Sequence, residues 1–248
     1  MNIIYSNLLR STGLVTCGVS TRQGGVSPEP LCMNMSFNVG DANENVEQNR
    51  RLFARALGIG LERLAIPMQV HSSVVKRADT PGSYSSCDGL VTDVRGVYLS
   101  ISVADCVPIF IVDTQRKAVA AIHAGWRGTV ARIAAYGVEM LIDEFQCRPA
   151  RMIAFVGPSA GGCCYAVGED VAAKFPGEFV REESGKLHID LKAANVSQLL
   201  EMGLSENVIE VSSYCTIDEG DMLHSYRRDG TRSGRMMGVI GLKMDSMR

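Results

Sequence analysis

The stretch Val97–Phe145, VYLSISVADCVPIFIVDTQRKAVAAIHAGWRGTVARIAAYGVEMLIDEF, decides the fold class. Val97–Val103 and Val107–Val112 are two apolar, strand-like runs separated by Ala104, Asp105 and Cys106. A polar turn, Asp113–Lys117, leads into a third such run, Ala118–His123. Connections this short imply hairpin pairing, because parallel strands need a longer crossover. Gly128–Phe145 then changes period. Val130, Ile133, Ala134, Gly137, Val138, Leu141, Ile142 and Phe145 fall on one helical stripe that must cover a sheet.

Working outward, Gly13–Ser20 and Pro67–Lys76 read as strands, the second through Gln69, Val70 and His71. Asn43–Leu57 reads as a helix with Asn43 as N-cap and Gly58 just past its end. Met152–Val156 reads as a strand running into the glycine-rich segment Gly157–Tyr165, GPSAGGCCY. A short helix over Gly168–Phe175, a helix capped by Asp190 and ending near Gly203, and strands at Val208–Val211 and Met236–Leu242 complete the reading. Runs of neighbouring strands with helices between them favour an α+β fold over a doubly wound one. No repeat, low-complexity tract or linker divides the chain, so residues 1–248 are expected to form one domain with largely antiparallel, mixed sheets.

The 248 residues, 46% of them hydrophobic, suffice for a full core. With 25 basic and 27 acidic side chains there is no electrostatic case for binding nucleic acid, and no polybasic tract suggests a membrane surface. No segment approaches the roughly 20 apolar residues of a membrane span. The opening MNIIYSNLLRSTGLVTCGVS lacks a basic region before its apolar run, and Asn7, Arg10 and Ser11 interrupt that run. It reads as mature chain rather than a signal peptide. Eight cysteines without a CxxC pair do not make a disulfide framework in a chain of this size, and point to a reduced, cytoplasmic setting.

His71, Cys106 and His123 each stand where a strand meets a turn, and strand ends bring distant residues together. Two imidazoles and a thiolate would make a three-ligand zinc site with its fourth position open, the catalytic rather than the structural pattern. Asp88 or Asp105 would orient an imidazole through its second nitrogen. The same atoms also fit a Cys106 nucleophile with His123 as its base, and metal and nucleophile compete for one sulfur. In His123–Gly128, HAGWRG, a strand, a glycine turn and a helix start offer free N–H groups to an anion, with Arg127 as a fixed charge. Arg22 in STRQGGVS and Arg227 in HSYRRDG are further candidate donors to a phosphate. Adjacent Cys163 and Cys164, if on a strand, would point opposite ways.

The segments GlnValHisSer, SerValAlaAspCysValPro, AlaIleHisAlaGlyTrpArgGly, ValGlyProSerAlaGlyGlyCysCysTyr and SerTyrArgArgAsp, in this order, resemble the laccase-domain family, from about Thr16 to about Leu242. That family is also described as polyphenol oxidase and as peptidoglycan editing factor. The resemblance implies a layered α/β/β/α fold and a metal, usually zinc with copper as an alternative, held by His71, Cys106 and His123. It implies purine nucleoside phosphorylase activity on adenosine, inosine and methylthioadenosine, with some adenosine deamination. The substrates would be purine nucleosides and phosphate, with Arg127, Arg22 and Arg227 as contacts and the oligomeric state left open. Copper-dependent phenol oxidation and thiol hydrolysis of peptidoglycan precursors are the alternative family functions. Four histidines cannot build the histidine-rich trinuclear cluster of a multicopper oxidase. The H-x-E and P-C-x-x-C signature of the zinc nucleobase deaminases is missing.

Overall fold

A computed structural model of the chain describes residues 2–244. At its centre Val107–Asp113 and Ala118–Ala124 form an antiparallel hairpin, with Val107 opposite Ala124 and Asp113 opposite Ala118. The turn between them is closed by buried Asp113, whose Oδ1 accepts the N–H groups of Gln115 at 2.8 Å and Arg116 at 2.7 Å. Both strands are buried along their whole length, which is why they read as unbroken apolar runs rather than alternating ones.

This hairpin sits inside a six-stranded sheet in the order Ile209–Val211, Met152–Val156, Val107–Asp113, Ala118–Ala124, Gly89–Thr92 and Val75–Arg77. A second six-stranded sheet runs Ile3–Ile4, Val15–Ser20, Met236–Leu242, Tyr98–Val103, Leu64–Pro67 and Gly82–Tyr84. Both are mixed: most pairs are antiparallel, but Met152–Val156 with Ile209–Val211 and Val75–Arg77 with Gly89–Thr92 in the first sheet, and Leu64–Pro67 with both Tyr98–Val103 and Gly82–Tyr84 in the second, are parallel. A small three-stranded sheet, Ala166–Val167, Lys186–Ile189 and Val180–Glu183, stands apart.

Side-chain alternation sorts the apolar residues into layers. Phe110, Val112, Val119 and Ala121 of the first sheet meet Cys17, Leu99, Ile101 and Ile240 of the second in the core between the sheets. Ile109, Ile111, Ala120 and Ile122 face the other way, against Ile133, Val138 and Leu141 of the helix Ile133–Phe145 and Leu191, Ala194 and Leu199 of the helix Leu191–Glu201. The helix Asn43–Leu57 covers the outer face of the second sheet through Phe53, beside Tyr98 and Val239. The result is the α/β/β/α layering of an α+β fold. Gly137 marks a close helix–sheet approach: a Cβ there would fall 2.0 Å from Ile122 Cδ1. Among the described residues no helix is long and apolar enough to cross a membrane.

Four local readings need correction. The runs Val97–Val103 and Val107–Val112 do not pair as a hairpin: Tyr98–Val103 lies in the second sheet and Val107–Asp113 in the first, so the chain crosses from one sheet to the other at Ala104–Cys106, and only Val107–Asp113 with Ala118–Ala124 forms the expected hairpin. The expected helix Gly128–Phe145 is two helices, Trp126–Val130 and Ile133–Phe145, broken at Arg132, whose φ is +63°. The helical stripe cannot reveal this, because the break is set from outside: Gln198 Nε2 donates to the Thr129 carbonyl at 2.8 Å and Asn195 Nδ2 to Thr129 Oγ1 at 3.0 Å. The expected strand Pro67–Lys76 is a strand Leu64–Pro67, a loop, and a strand Val75–Arg77. The loop exists because its N–H groups turn toward a buried carboxylate, described below. Asn43 is the first residue of its helix rather than the cap. The cap position is Ala42, and its N–H is taken by Asp41 Oδ1 at 2.9 Å.

Candidate metal centre

The site is organised by Asp88, which is fully buried just before the strand Gly89–Thr92. Its carboxylate accepts the N–H groups of Val70 (3.1 Å), His71 (3.0 Å) and Ser72 (2.7 Å) and the Ser72 hydroxyl (2.8 Å). His123 Nδ1 lies 2.8 Å from Asp88 Oδ1, and the His123 N–H donates to the Asp88 carbonyl at 2.7 Å. One side chain therefore bends the loop carrying His71, whose φ is +59°, and fixes the ring of His123. Burial alone would raise the Asp88 pKa. The hydrogen bonds from His123 and Ser72 outweigh it and hold the carboxyl well below the usual range. With the Nδ1 proton directed at Asp88, His123 has Nε2 as its free donor atom.

Cys106 follows Asp105, whose φ is +92°, at the turn between the strands Tyr98–Val103 and Val107–Asp113. Its sulfur and one nitrogen each from His71 and His123 lie within 4.8 Å of one another, and the two rings meet edge to face with centroids 5.0 Å apart. Burial would push the Cys106 thiol up, but His123 and then His71 bring it down to about 6. His123 moves the other way. Burial lowers it, while Cys106 and Asp88 raise it to about 9. Gly125 is required here, since a Cβ would lie 3.0 Å from Cys106 Sγ and 3.1 Å from His71 Cδ2. A thiolate and two imidazoles converging from three segments fit a thiophilic transition metal.

Asp105 makes no hydrogen bond to an imidazole. Its carboxylate accepts the Thr216 hydroxyl and the Arg227 N–H, both at 2.6 Å, and so ties two later loops to the residue before Cys106. Arg227 is brought near the site. Its Nη1 donates to the Ala166 carbonyl at 2.9 Å and its guanidinium lies over Tyr165, which is in electrostatic contact with Cys106. Arg127 is exposed and stacks on Trp126, two residues past Gly125. Arg22 is committed elsewhere: it donates to the Gly220 and Pro30 carbonyls and pairs with Glu29 at 3.0 Å.

Other features went unread in the sequence. Ser72 was legible only as a hydroxyl beside a histidine. His224 was hidden behind the arginines of its own motif. It is fully buried with neither ring nitrogen hydrogen-bonded, and burial lowers its pKa to about 3. Cys163 and Cys164 lie in a turn rather than a strand, so both can face the same way. Their sulfurs are 3.0 Å apart, and both point at Asp218.

The model of the family described as multi-copper polyphenol oxidoreductase laccase matches residues 16–243. The chain belongs to this family. Within it, the chain is 41% identical over 243 residues to a purine nucleoside phosphorylase of Deinococcus radiodurans, covering 95% of this chain and 92% of that one. It is 37% identical over 226 residues to an adenosine deaminase, RL5, of an unknown prokaryotic organism, covering 82% of this chain and 84% of the relative. The crystal structure of YlmD from Geobacillus stearothermophilus superposes with a TM-score of 0.88 at 36% identity, covering 93% of this chain and 92% of YlmD. Of the four histidines of this laccase-family chain, His188 and His224 stand outside the centre. His188 Nδ1 is 3.2 Å from the Lys186 carbonyl on the small sheet, and His224 is in the buried position just described.

Proposed function

We propose that this chain is a zinc-dependent purine nucleoside phosphorylase acting on adenosine, inosine and methylthioadenosine, with adenosine deamination as a side activity. The observation that carries the reading is the convergence of His71, Cys106 and His123 around Asp88. It occurs in a chain similar over almost its full length to proteins named for these activities. Zinc suits one thiolate and two imidazoles, and a copper ion would accept the same donors. When bound, the metal supplies Lewis acidity at the position left open by three protein ligands.

The residues of the chain do the positioning. Asp88 engages His123 at Nδ1, so the nitrogen turned to the site is Nε2, where a bound metal would take the place of the proton. In phosphorolysis a phosphate oxygen bonds to the anomeric carbon as the glycosidic C–N bond breaks. The leaving base keeps the electron pair and takes up a proton. Arg227, beside Tyr165 and Asp105, and Arg127, at the mouth of the HAGWRG turn, are the cations that would orient the phosphate. Arg22 is a weaker candidate because Glu29 already pairs it.

A second reading has its own observation. The order Asp88–His123–Cys106, with a thiol lowered to about 6, is that of an activated cysteine nucleophile. Incubating metal-analysed protein with inosine, with and without phosphate, separates the two. Hypoxanthine released only with phosphate supports the phosphorylase. No release from metal-loaded protein, with inactivation by thiol alkylation toward a hydrolase substrate, supports the thiol enzyme.

A further inference from the structure

We propose that Cys163, Cys164, Cys215 and Asp218 form a second, structural site for a thiophilic divalent metal of the zinc class, separate from the His71 centre. The topology assembles it. Met152–Val156 and Ile209–Val211 are parallel neighbours, with Ala154 opposite Ile209, so both chains leave the sheet at the same end. They stay paired as far as the bridge between Ser159 and Cys215. Just beyond that bridge, the turn Gly162–Cys164 and the segment 215–218 face each other.

The geometry is that of a ligand set. One donor atom from each of the four residues lies within 4.8 Å of all the others. Asp218 Oδ2 is 3.3 Å from Cys163 Sγ, Asp218 Oδ1 is 3.0 Å from Cys164 Sγ, and the two sulfurs are 3.0 Å apart. A tetrahedral zinc with bonds of about 2.3 Å to sulfur needs donor separations near 3.8 Å, so the contacts at 3.0 and 3.3 Å would open slightly on binding, within the 4.8 Å that encloses the set. Cys215 is buried and its sulfur accepts the Gly161 N–H at 3.2 Å, the kind of hydrogen bond that steadies a thiolate ligand. A Cβ at Gly161 would fall 3.0 Å from Cys163 Sγ and 3.3 Å from Cys215 Sγ, so glycine keeps the space between the sulfurs clear.

Without a cation the Cys163 and Cys164 thiols donate their protons to Asp218, which holds the donor atoms together, and a divalent metal would take the place of those protons. Lys192, close enough to Cys215 and Cys163 for an electrostatic interaction, has its ammonium held by the Ser212 and Tyr214 carbonyls. Adjacent cysteines also pair poorly with each other. Their Cα atoms, about 3.8 Å apart across a trans peptide, are closer than the usual disulfide range. With four protein ligands and no open position, the site is of the structural type. It would join the loops that meet at Asp105, through Ala160 N–H to the Asp105 carbonyl at 2.9 Å and Thr216 Oγ1 to Asp105 Oδ1 at 2.6 Å.

The test is metal stoichiometry of the full chain, reduced, stripped, reloaded with zinc and desalted. Two ions per chain are expected in the wild type, and one each in Cys163→Ser/Cys164→Ser and in His71→Ala. After cobalt loading, the site left in His71→Ala should give about three times the sulfur-to-cobalt charge-transfer intensity of the site left in the double serine variant, as three thiolates to one. Should the double variant not fold, Asp218→Ala is expected to lose the second ion to a chelator more readily than the wild type. One ion per chain in the wild type would overturn the proposal. So would two ions retained by the double serine variant or by Asp218→Ala against the chelator, or a disulfide among these cysteines seen as a mass loss of two hydrogens.

Discussion

Replacing Asp88 by asparagine tests how the centre is built. The carboxylate accepts five side-chain-directed hydrogen bonds: Val70 N, Ser72 N and Ser72 Oγ on Oδ2, and His71 N and His123 Nδ1 on Oδ1. An amide offers one acceptor oxygen and one donor nitrogen in the same space. Its better orientation keeps the oxygen toward the three donors and turns the NH2 toward His71 N–H and His123. His123 can then accept at Nδ1 only by moving its proton to Nε2, the atom that should face the metal. The His71 N–H is left without an acceptor. One orphaned buried donor costs about 1–3 kcal/mol. For a chain of this size that is a fall in Tm of ~2–12 °C. Loss of a partner that orients a ligand imidazole costs roughly 10–100-fold in metal affinity. Competition with a chromogenic chelator reads the affinity, and thermal unfolding of the metal-free protein reads the stability. An Asp88→Asn protein with wild-type zinc affinity and an unchanged Tm would refute the reasoning.

Four further outcomes follow from the same geometry. In metal-free protein Cys106 should be alkylated at neutral pH, with a rate that falls as pH drops through about 6. Cys17 and Cys147, pushed up by burial to about 11 and about 12, should stay unmodified in peptide maps, and zinc should protect Cys106. His224 binds its proton far more weakly folded than unfolded, so the stability it contributes is present above about 6.5 and is lost as pH falls toward about 3. The loss is on the order of 5 kcal/mol at most. Denaturant unfolding between pH 7 and pH 4 should show it in the wild type and not in His224→Leu. Gly137→Ala should cost about 1–3 kcal/mol by overpacking against Ile122, and Ile122→Val, which removes the clashing Cδ1, should restore part of it in the double variant. Gly125→Ala should weaken zinc binding in chelator competition while leaving secondary structure by circular dichroism unchanged, because its Cβ would press on Cys106 and His71.

Much of this architecture was legible because it is local. The hairpin Val107–Ala124 follows from two apolar runs and a short polar turn, and the strand Met236–Leu242 keeps the limits its composition suggests. The helix after Asp190 was readable because the Asp190 carboxylate accepts the Ala193 N–H three residues on. What could not be read depends on partners far along the chain. His71 stands in a loop rather than a strand because Asp88, 17 residues later, draws in its N–H. The helix breaks near Arg132 because Gln198, 69 residues past Thr129, takes the Thr129 carbonyl. His71, Cys106 and His123 could be listed together as candidates from their residue types and the family resemblance. Which aspartate orients the imidazole could not be named, since Asp88 and Asp105 are equally acidic and only the fold places one against His123 and the other against Thr216 and Arg227.

The central claim is that the centre at His71, Cys106 and His123 performs phosphorolysis. Its most direct test is to titrate metal-stripped protein with zinc while following phosphate-dependent hypoxanthine release from inosine, beside His71→Ala under the same conditions. Activity should be absent at first, rise with zinc bound and saturate in the wild type, and stay absent in His71→Ala at every zinc level. Phosphorolysis by the stripped wild type, or by zinc-loaded His71→Ala at the wild-type rate, would contradict the account.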